Sequence, residues 1–148
     1  MILLPDQIEF IILHHSLTED SGTVSWRAIR HYHTKTLGWS DVGYHFGLER
    51  VRDEIEVFVG RPLNKVGAHC RDAGMNYKSL GICFVGNFDI VDVPKEMWDR
   101  GVHLVSGLCS SFSIPIKNVK GHRDYASKSC PGHWFDLEQF RRDLYALS

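Results

Sequence analysis

A short, almost unbroken run of apolar residues near the start of the chain most limits how the chain can fold. Residues 8–13 read Ile-Glu-Phe-Ile-Ile-Leu and are rich in β-branched side chains. Such a run is typical of a buried strand at the centre of a sheet. It ends at His14, His15 and Ser16, and α/β sheets usually place their ligands just beyond the ends of central strands. The sequence therefore predicts a central strand over residues 8–13 with polar, functional residues at its carboxyl end.

Apolar periodicity and turn residues divide the rest of the chain. The predicted elements are a loop over 18–23, a helix over 25–36, hairpin strands over 44–49 and 55–59, a long loop over 60–79, a buried strand over 80–86, a helix opening at Pro94, an edge strand over 116–119 and a helix starting at Asp136. Gly81 indicates a close backbone approach in its strand, and Gly101 and Gly107 indicate tight packing of the long helix on the sheet. Gln139 would complete a capping box with Asp136.

Composition is that of a globular domain and excludes several kinds of partner. Of 148 residues, 43% are hydrophobic and 24% are charged, and the formal net charge is −1. This length fits one domain with one core, covering residues 1–148. A nearly neutral chain gives no electrostatic reason to bind nucleic acid, and no apolar run approaches the roughly 20 residues that span a bilayer. We expect a monomer that binds neither nucleic acid nor membrane.

The N-terminus and the cysteines indicate a reducing compartment. The first residues have no basic lead and turn polar at Pro5 and Asp6, unlike a signal peptide, so we expect cytoplasmic synthesis with reduced thiols. Cys83 lies in an apolar run and Cys109 in a helix, and both are interpreted as small buried hydrophobes. Cys130 is the only cysteine in a polar loop beside a cation, which favours a thiolate.

A polar loop over residues 121–132 contains His122, Lys128 and Cys130. His and Cys commonly bind zinc, although many ordinary surface loops also contain one of each. With His14 from the end of the central strand, the chain offers two imidazoles and one thiolate. Three protein ligands leave one corner of a tetrahedron open, as in catalytic zinc sites. The sequence thus predicts a Zn²⁺ that polarises a carbonyl and lowers the pKa of water towards ~7.

Other polar residues are candidates for supporting roles. Lys128 could stabilise a developing oxyanion by roughly 3–4 kcal/mol, and a solvated lysine is the alternative. Tyr44 could orient or deprotonate the attacking water, and a core tyrosine is the alternative. His15 either supports the metal ligands or crosses to the other face of its strand, and only one of the adjacent histidines is expected to bind the ion. His69 and Asn76 could line a substrate groove or simply be exposed polar residues.

Five groups of residues, in a fixed order with short gaps, carry a resemblance over nearly the whole chain. They are Leu13-His14-His15-Ser16, Asp41-Val42-Gly43-Tyr44-His45-Phe46, Gly67-Ala68-His69-Cys70, Asn76-Tyr77-Lys78-Ser79-Leu80-Gly81-Ile82, and Gly121-His122-Arg123-Asp124 with Lys128-Ser129-Cys130-Pro131. Together they resemble the zinc-dependent N-acetylmuramoyl-L-alanine amidases of the type 2 class, which includes T7-type phage lysozymes and the peptidoglycan recognition proteins.

The resemblance implies a fold, a reaction and a set of roles. The fold would be α/β, with a central mixed β-sheet flanked by helices and Zn²⁺ in a surface groove. The reaction would be hydrolysis of the amide between the lactyl group of N-acetylmuramic acid and the L-alanine of the stem peptide. By position, the metal ligands would be His14, His122 and Cys130, the catalytic pair Tyr44 and Lys128, and the residues lining the peptide groove His69 and Asn76.

The resemblance also implies a phage or prophage origin, action on the cell wall after release, and two alternative functions. Some peptidoglycan recognition proteins bind peptidoglycan without cutting it, and these lack the cysteine ligand, so Cys130 argues for hydrolysis. The phage lysozymes of this type also bind the RNA polymerase of their own phage, but no motif for that contact is recognised in this sequence.

Overall fold

Five strands form one mixed sheet in the computed structural model, which describes residues 1–17 and 25–148. The strands are β1 (Phe10–His15), β2 (Phe46–Val51), β3 (Glu54–Val59), β4 (Ser79–Phe84) and β5 (Val119–Gly121). Their order across the sheet is β3-β2-β4-β1-β5. Strand β1 runs parallel to β4 and β5, β4 runs parallel to β2, and β2 and β3 form an antiparallel hairpin. The predicted α/β class with a central mixed sheet is confirmed, and the predicted loop over 18–23 lies outside the described residues.

Helices pack on this sheet. They are α1 (Trp26–His31), α2 (Lys95–Phe112) and α3 (Leu137–Leu147). A π-helical segment, Tyr32–Thr36, continues α1, which confirms the helix predicted over 25–36. The Ser25 hydroxyl accepts a hydrogen bond from the Ala28 N–H at 3.2 Å and caps α1, as a serine at this position should. Across the described ranges, none of the helices is both long and apolar enough to cross a bilayer.

The two faces of β1 have different neighbours because side chains alternate along a strand. Leu13 belongs to the main core, together with buried side chains of α2 and α3. Ile12 faces the other way and packs against Met75 from the segment before β4. His14 and His15 continue this alternation. His14 therefore lies on the face of Ile12, and His15 lies on the face of the main core.

Four strand predictions have an end that is wrong by two or more residues. The first hairpin strand is Phe46–Val51 rather than 44–49, and the strand predicted over 80–86 is Ser79–Phe84. The central strand continues through His14 and His15 rather than ending at Leu13, because both histidines pair with β4. The edge strand was predicted over 116–119, but β5 begins only at Val119. Residues 116–118 form a 3-10 turn, closed by the Asn118 N–H donating to the Pro115 carbonyl at 2.8 Å, so their backbone groups are not available to the sheet.

The capping prediction for α3 is half right. The Asp136 carboxylate accepts a hydrogen bond from the Gln139 N–H at 3.0 Å, which confirms Asp136 as the cap. The Gln139 side chain does not return the bond, because its amide group donates to Asp143 at 2.8 Å and its carbonyl oxygen accepts from Arg142. Only one of the two capping-box bonds is formed.

The two glycines of α2 differ in their surroundings. A Cβ built on Gly101 would lie 2.5 Å from the ring of Phe84, whereas a Cβ on Gly107 would meet nothing within 4 Å. The prediction of tight packing is therefore confirmed for Gly101 and wrong for Gly107.

This difference gives a matched pair of substitutions. Gly101→Ala should lower the free energy of unfolding, because Phe84 is fully buried against Phe135 and Phe140. Overpacking typically costs ~1–3 kcal/mol, more than the ~1 kcal/mol that alanine gains over glycine in helix propensity. Gly107→Ala should raise the free energy of unfolding by ~0.5–1 kcal/mol. Denaturant titration of both variants tests this, and a change of the same sign in both would contradict the packing.

Candidate metal centre

The pairing of parallel strands explains how His14 and His122 come together. Leu13 of β1 is paired with Gly121 of β5. The residue that follows each of them, His14 or His122, therefore lies at the same end of the sheet. Their ring centroids are 4.8 Å apart.

The loop after β5 brings Cys130 back to the same place. The Arg123 N–H donates to the Cys130 carbonyl at 2.7 Å, and the Arg123 guanidinium donates to the Gly132 carbonyl at 2.8 Å. These bonds close the loop on itself. The Cys130 Sγ accepts the His15 N–H at 3.4 Å and lies 3.7 Å from Nδ1 of His14.

The three groups have the spacing of metal ligands. The potential ligand atoms of His14, His122 and Cys130 all lie within 4.8 Å of one another. In a tetrahedral zinc site, bonds of about 2.3 Å to sulfur and about 2.0 Å to nitrogen separate these two atoms by about 3.5 Å. The 3.7 Å between Sγ and Nδ1 is close to this value. The arrangement can hold a metal ion through three protein ligands.

His122 has a buried nitrogen that is not satisfied. Its Nε2 has no hydrogen-bond partner in the part of the chain that the structure describes, and Oδ2 of Asp72 lies 3.6 Å away. An unsatisfied buried polar atom costs about 1–3 kcal/mol, which a bound cation could remove. Asp72 and Cys70 also form a second group with His122 whose ligand atoms lie within 4.8 Å of one another. Asp72 was not identified from the sequence.

His15 points away from these groups. Its ring is buried on the main-core face, where Nδ1 accepts the Phe88 N–H at 3.1 Å. Its backbone faces the site instead, where the N–H donates to Cys130 Sγ and the carbonyl lies 3.9 Å from the same sulfur. In the described ranges, His14 rather than His15 is grouped with His122 and Cys130, which favours His14 between the two alternatives.

The imidazoles of the site are neutral at physiological pH. Burial lowers the pKa of His14 well below its usual value, and the neighbouring histidines add to this effect. Burial also lowers the pKa of His122, and the positive charge of Lys128 lowers it further. Neutral imidazole is the form that binds metal ions.

The cysteines agree with their sequence interpretation except for the protonation of the Cys130 thiol. All four cysteines are free, and Cys83 and Cys109 are buried as predicted. Burial raises the pKa of Cys130 to about 12, although the His15 N–H and the charge of Lys128 act in the opposite direction. The cation beside Cys130 is therefore not enough to produce the expected thiolate. Metal coordination would be enough to produce the thiolate, because a bound metal ion deprotonates a coordinating thiol outright.

A cavity of about 340 Å³ opens beside His122, and neither His14 nor Cys130 is among its lining residues. Among its lining residues are Trp39, His69, Asp72, Asn76, His122 and Lys128. Lys128 is exposed, and its charge lowers the pKa of His14, His122 and Cys130. Its ammonium group therefore acts electrostatically on all three potential ligands.

Tyr44 lies two residues before β2, with its ring centroid 5.2 Å from that of His14. The ring is half-buried and also lies near Trp26 of α1, at 6.3 Å. Burial, with a smaller effect from Cys83, raises the pKa of Tyr44 well above its usual value. Tyr44 therefore packs near α1 and also lies beside His14, while its role towards the attacking water stays a prediction.

His69 and Asn76 belong to the long predicted loop, in which Asp72–Tyr77 form a 3-10 segment. The Asn76 side-chain oxygen accepts the N–H groups of His69 and Cys70 at 2.9 and 2.8 Å. The His69 ring is buried, and its Nδ1 lies 2.9 Å from Nε2 of His14. Both residues line the cavity, and their contact with substrate stays a prediction. The contact between the two imidazoles was not predicted from the sequence.

The family of the chain follows from comparison with known proteins. Residues 4–133 match the family described as N-acetylmuramoyl-L-alanine amidase, Amidase_2. The chain belongs to this amidase family. This confirms the resemblance seen in the five motifs.

Individual relatives are phage and animal proteins. The endolysin of Enterobacteria phage T3 is 36% identical to this amidase over 138 residues, which cover 89% of this chain and 84% of the phage protein. Peptidoglycan-recognition protein LB of Drosophila melanogaster is 31% identical over 130 residues, which cover 83% of this chain and 54% of the fly protein.

Solved structures confirm the fold. The N-acetylmuramoyl-L-alanine amidase LysC from Clostridium intestinale URNW superposes with a TM-score of 0.83 at 28% identity, covering 98% of this chain and 90% of LysC. A mutant of Drosophila PGRP-LB in complex with tracheal cytotoxin gives a TM-score of 0.77 at 27% identity, covering 93% of this chain and 82% of that one.

Cobalt substitution tests whether Cys130 is a metal ligand. Co²⁺ bound by a thiolate gives a charge-transfer absorption in the near ultraviolet, so we expect this band in the cobalt-loaded amidase. Cys130→Ser should abolish it, and Cys109→Ser, which changes a buried thiol in α2, should keep it. A band that persists in Cys130→Ser would place the metal at another thiol, such as Cys70.

Proposed function

We propose that this amidase is zinc-dependent and hydrolyses the amide bond between the lactyl group of N-acetylmuramic acid and the L-alanine of the peptidoglycan stem peptide. The observation that carries the proposal is the convergence of His14, His122 and Cys130, of which His122 lines an open cavity together with Lys128. Membership of the amidase family and the similarity to phage endolysins support the reaction. Two neutral imidazoles and one thiol are a donor set suited to zinc.

In this proposal His14, His122 and Cys130 hold the ion through three protein ligands. When bound, zinc supplies Lewis-acid chemistry, since it polarises a carbonyl and lowers the pKa of water towards about 7. The chain's own contribution is to hold these three side chains in place. His14 lies on a central strand and Cys130 on a loop closed by Arg123, so both positions are set by the fold.

Lys128 stabilises the carbonyl oxygen of the scissile amide as that oxygen gains negative charge. Its side chain is exposed at the cavity, and its positive charge lowers the pKa of all three proposed ligands. A cationic donor placed where an oxyanion develops contributes mainly to the transition state, because the charge is largest there.

Tyr44 orients the attacking water by hydrogen bonding. Its ring lies beside His14 and near Trp26, and its hydroxyl is within hydrogen-bonding reach of the buried Cys83 thiol. Water attacks the carbonyl carbon, the C–N bond breaks, and the products are a lactyl carboxylate and the free amino group of L-alanine.

The cavity receives the stem peptide in this proposal, with His69 and Asn76 among its walls. The solved complex of a Drosophila relative with tracheal cytotoxin supports a ligand-binding role for this fold. The similarity to endolysins of phages supports a phage or prophage gene and action on the bacterial cell wall.

The nature of the products tests the reaction. Digestion of purified peptidoglycan should release stem peptides with new L-alanine N-termini, detected by mass spectrometry, and a zinc chelator should stop the release until zinc is restored. Release of new reducing sugar ends would show a glycosidase and contradict the proposal. Binding to peptidoglycan without any cleavage in the presence of zinc would leave a recognition function instead.

Substitution of Lys128 tests its role in the transition state. Lys128→Gln should lower kcat by about 100-fold, because loss of one oxyanion donor typically costs 10²–10³ in rate. Because Lys128 is exposed, the fold should be preserved. Lys117→Gln, a matched change of an exposed lysine outside the cavity, should leave kcat unchanged. Equal rates in the two variants would remove Lys128 from the mechanism.

A further inference from the structure

A hydrogen-bonded chain runs from the potential metal ligand His14 into the protein interior. Nδ1 of His14 lies 3.7 Å from the Cys130 sulfur, and Nε2 of the same ring lies 2.9 Å from Nδ1 of His69. Nε2 of His69 lies 3.4 Å from the Ser79 hydroxyl, which donates to the Met75 carbonyl at 2.6 Å. We call this arrangement the His14–His69–Ser79 chain. Each imidazole nitrogen in it has one defined neighbour.

The end of this chain fixes the direction of its hydrogen bonds. The Ser79 hydroxyl has one proton, which it gives to the Met75 carbonyl, so its oxygen is left to accept from Nε2 of His69. A neutral His69 with its proton on Nε2 has a bare Nδ1. That Nδ1 can only accept, so His14 donates from Nε2. A neutral His14 with its proton on Nε2 has a bare Nδ1, and this is the atom that faces Cys130.

The surroundings hold the His69 ring in this orientation. A Cβ at Gly81 or at Gly67 would overlap the ring, so both glycines leave the space it occupies. Asn76 fixes the backbone of His69 by accepting its N–H. The ring is buried, and both of its nitrogens are already engaged by His14 and Ser79. Any contact of His69 with substrate would be through the ring edge, not through a nitrogen.

We propose that His69 is a positioning residue, which accepts a hydrogen bond from His14 and so holds His14 in the tautomer and orientation that present a bare Nδ1 to the metal. This rests on the proposed function, because it takes His14 as a zinc ligand. Histidines that bind metals usually donate their other N–H to a fixed acceptor, and loss of that acceptor typically lowers metal affinity by 10–100-fold. An imidazole takes the place of the more common carboxylate or carbonyl here. A neutral acceptor adds no negative charge to a site that already contains a thiolate.

The tautomers can be observed without metal. In zinc-free protein with ¹⁵N-labelled histidine, two-bond ¹H–¹⁵N spectra should show both His14 and His69 protonated on Nε2. A His14 ring protonated on Nδ1 would mean that His69 donates instead, and the proposal would be wrong.

Zinc affinity tests the consequence. His69→Leu, which keeps bulk but has no acceptor, should weaken zinc binding by about 10–100-fold in competition with a chromophoric chelator. His69→Asn can place an oxygen near the position of Nδ1 and should recover most of the affinity. Ser79→Ala removes only a hydroxyl and should fold even if the His69 variants do not. In the Ser79→Ala protein, the His14 and His69 rings should no longer show a single Nε2–H tautomer in the same NMR spectra.

A buried histidine outside the chain is the control for general loss of packing. His45→Asn changes a buried ring that hydrogen-bonds to Gly81 and Lys65 and packs edge-on against His69, with ring centroids 5.9 Å apart. It removes packing beside His69 but not the acceptor of His14, so it should leave zinc affinity unchanged. Wild-type affinity in His69→Leu, or unchanged tautomers in Ser79→Ala, would overturn the proposal. Failure of the metal site itself would be seen separately, because the wild-type protein would then bind no zinc.

Discussion

The parallel pairing of β1 with a strand on each side is the constraint on which the rest of the site depends. Pairing with β5 brings His14 and His122 to one end of the sheet, although they are far apart in the sequence. Pairing with β4 sets Ile12 beside Gly81 and His14 beside Cys83. A shift of either pairing by one residue would turn His14 to the opposite face, because side chains alternate along a strand. The backbone ladder therefore determines which histidine can bind a metal.

Small residues on β4 make room for the polar chemistry of the site. On the face that carries His14, β4 presents Ser79, Gly81 and Cys83, whereas its other face carries large apolar side chains of the main core. The space is filled by the His69 ring and by Tyr44. Buried imidazoles are costly unless they are hydrogen-bonded. Here His14 and His69 lie within hydrogen-bonding distance of each other, whereas Nε2 of His122 has no partner among the described residues. The interior therefore preorganises His14, while Lys128 lies on an exposed loop at the cavity.

Secondary-structure features that depend on local sequence pattern were predicted from the sequence. Contacts between segments that are distant in the chain were not. The central buried strand, the hairpin and the cap at Asp136 follow from apolar alternation and turn chemistry. All three exist in the structure, although the predicted ends of the strands were wrong. The edge strand was misplaced because a 3-10 turn after Pro115 delays pairing by three residues. The contacts of His69 with His14 and Ser79 could not be predicted from the sequence, because they join three separate segments of the chain. The only sequence signal was Gly81, which indicated that something lies close to β4.

The position of the metal tests the central claim most directly. Crystals of the zinc-loaded amidase can be measured with X-rays on both sides of the zinc absorption edge, and the anomalous difference map then locates the ion without reference to the protein coordinates. The account predicts one peak at bonding distance from Nδ1 of His14, from His122 and from Sγ of Cys130. A peak held instead by Cys70, Asp72 and His122, or by His15, would contradict it.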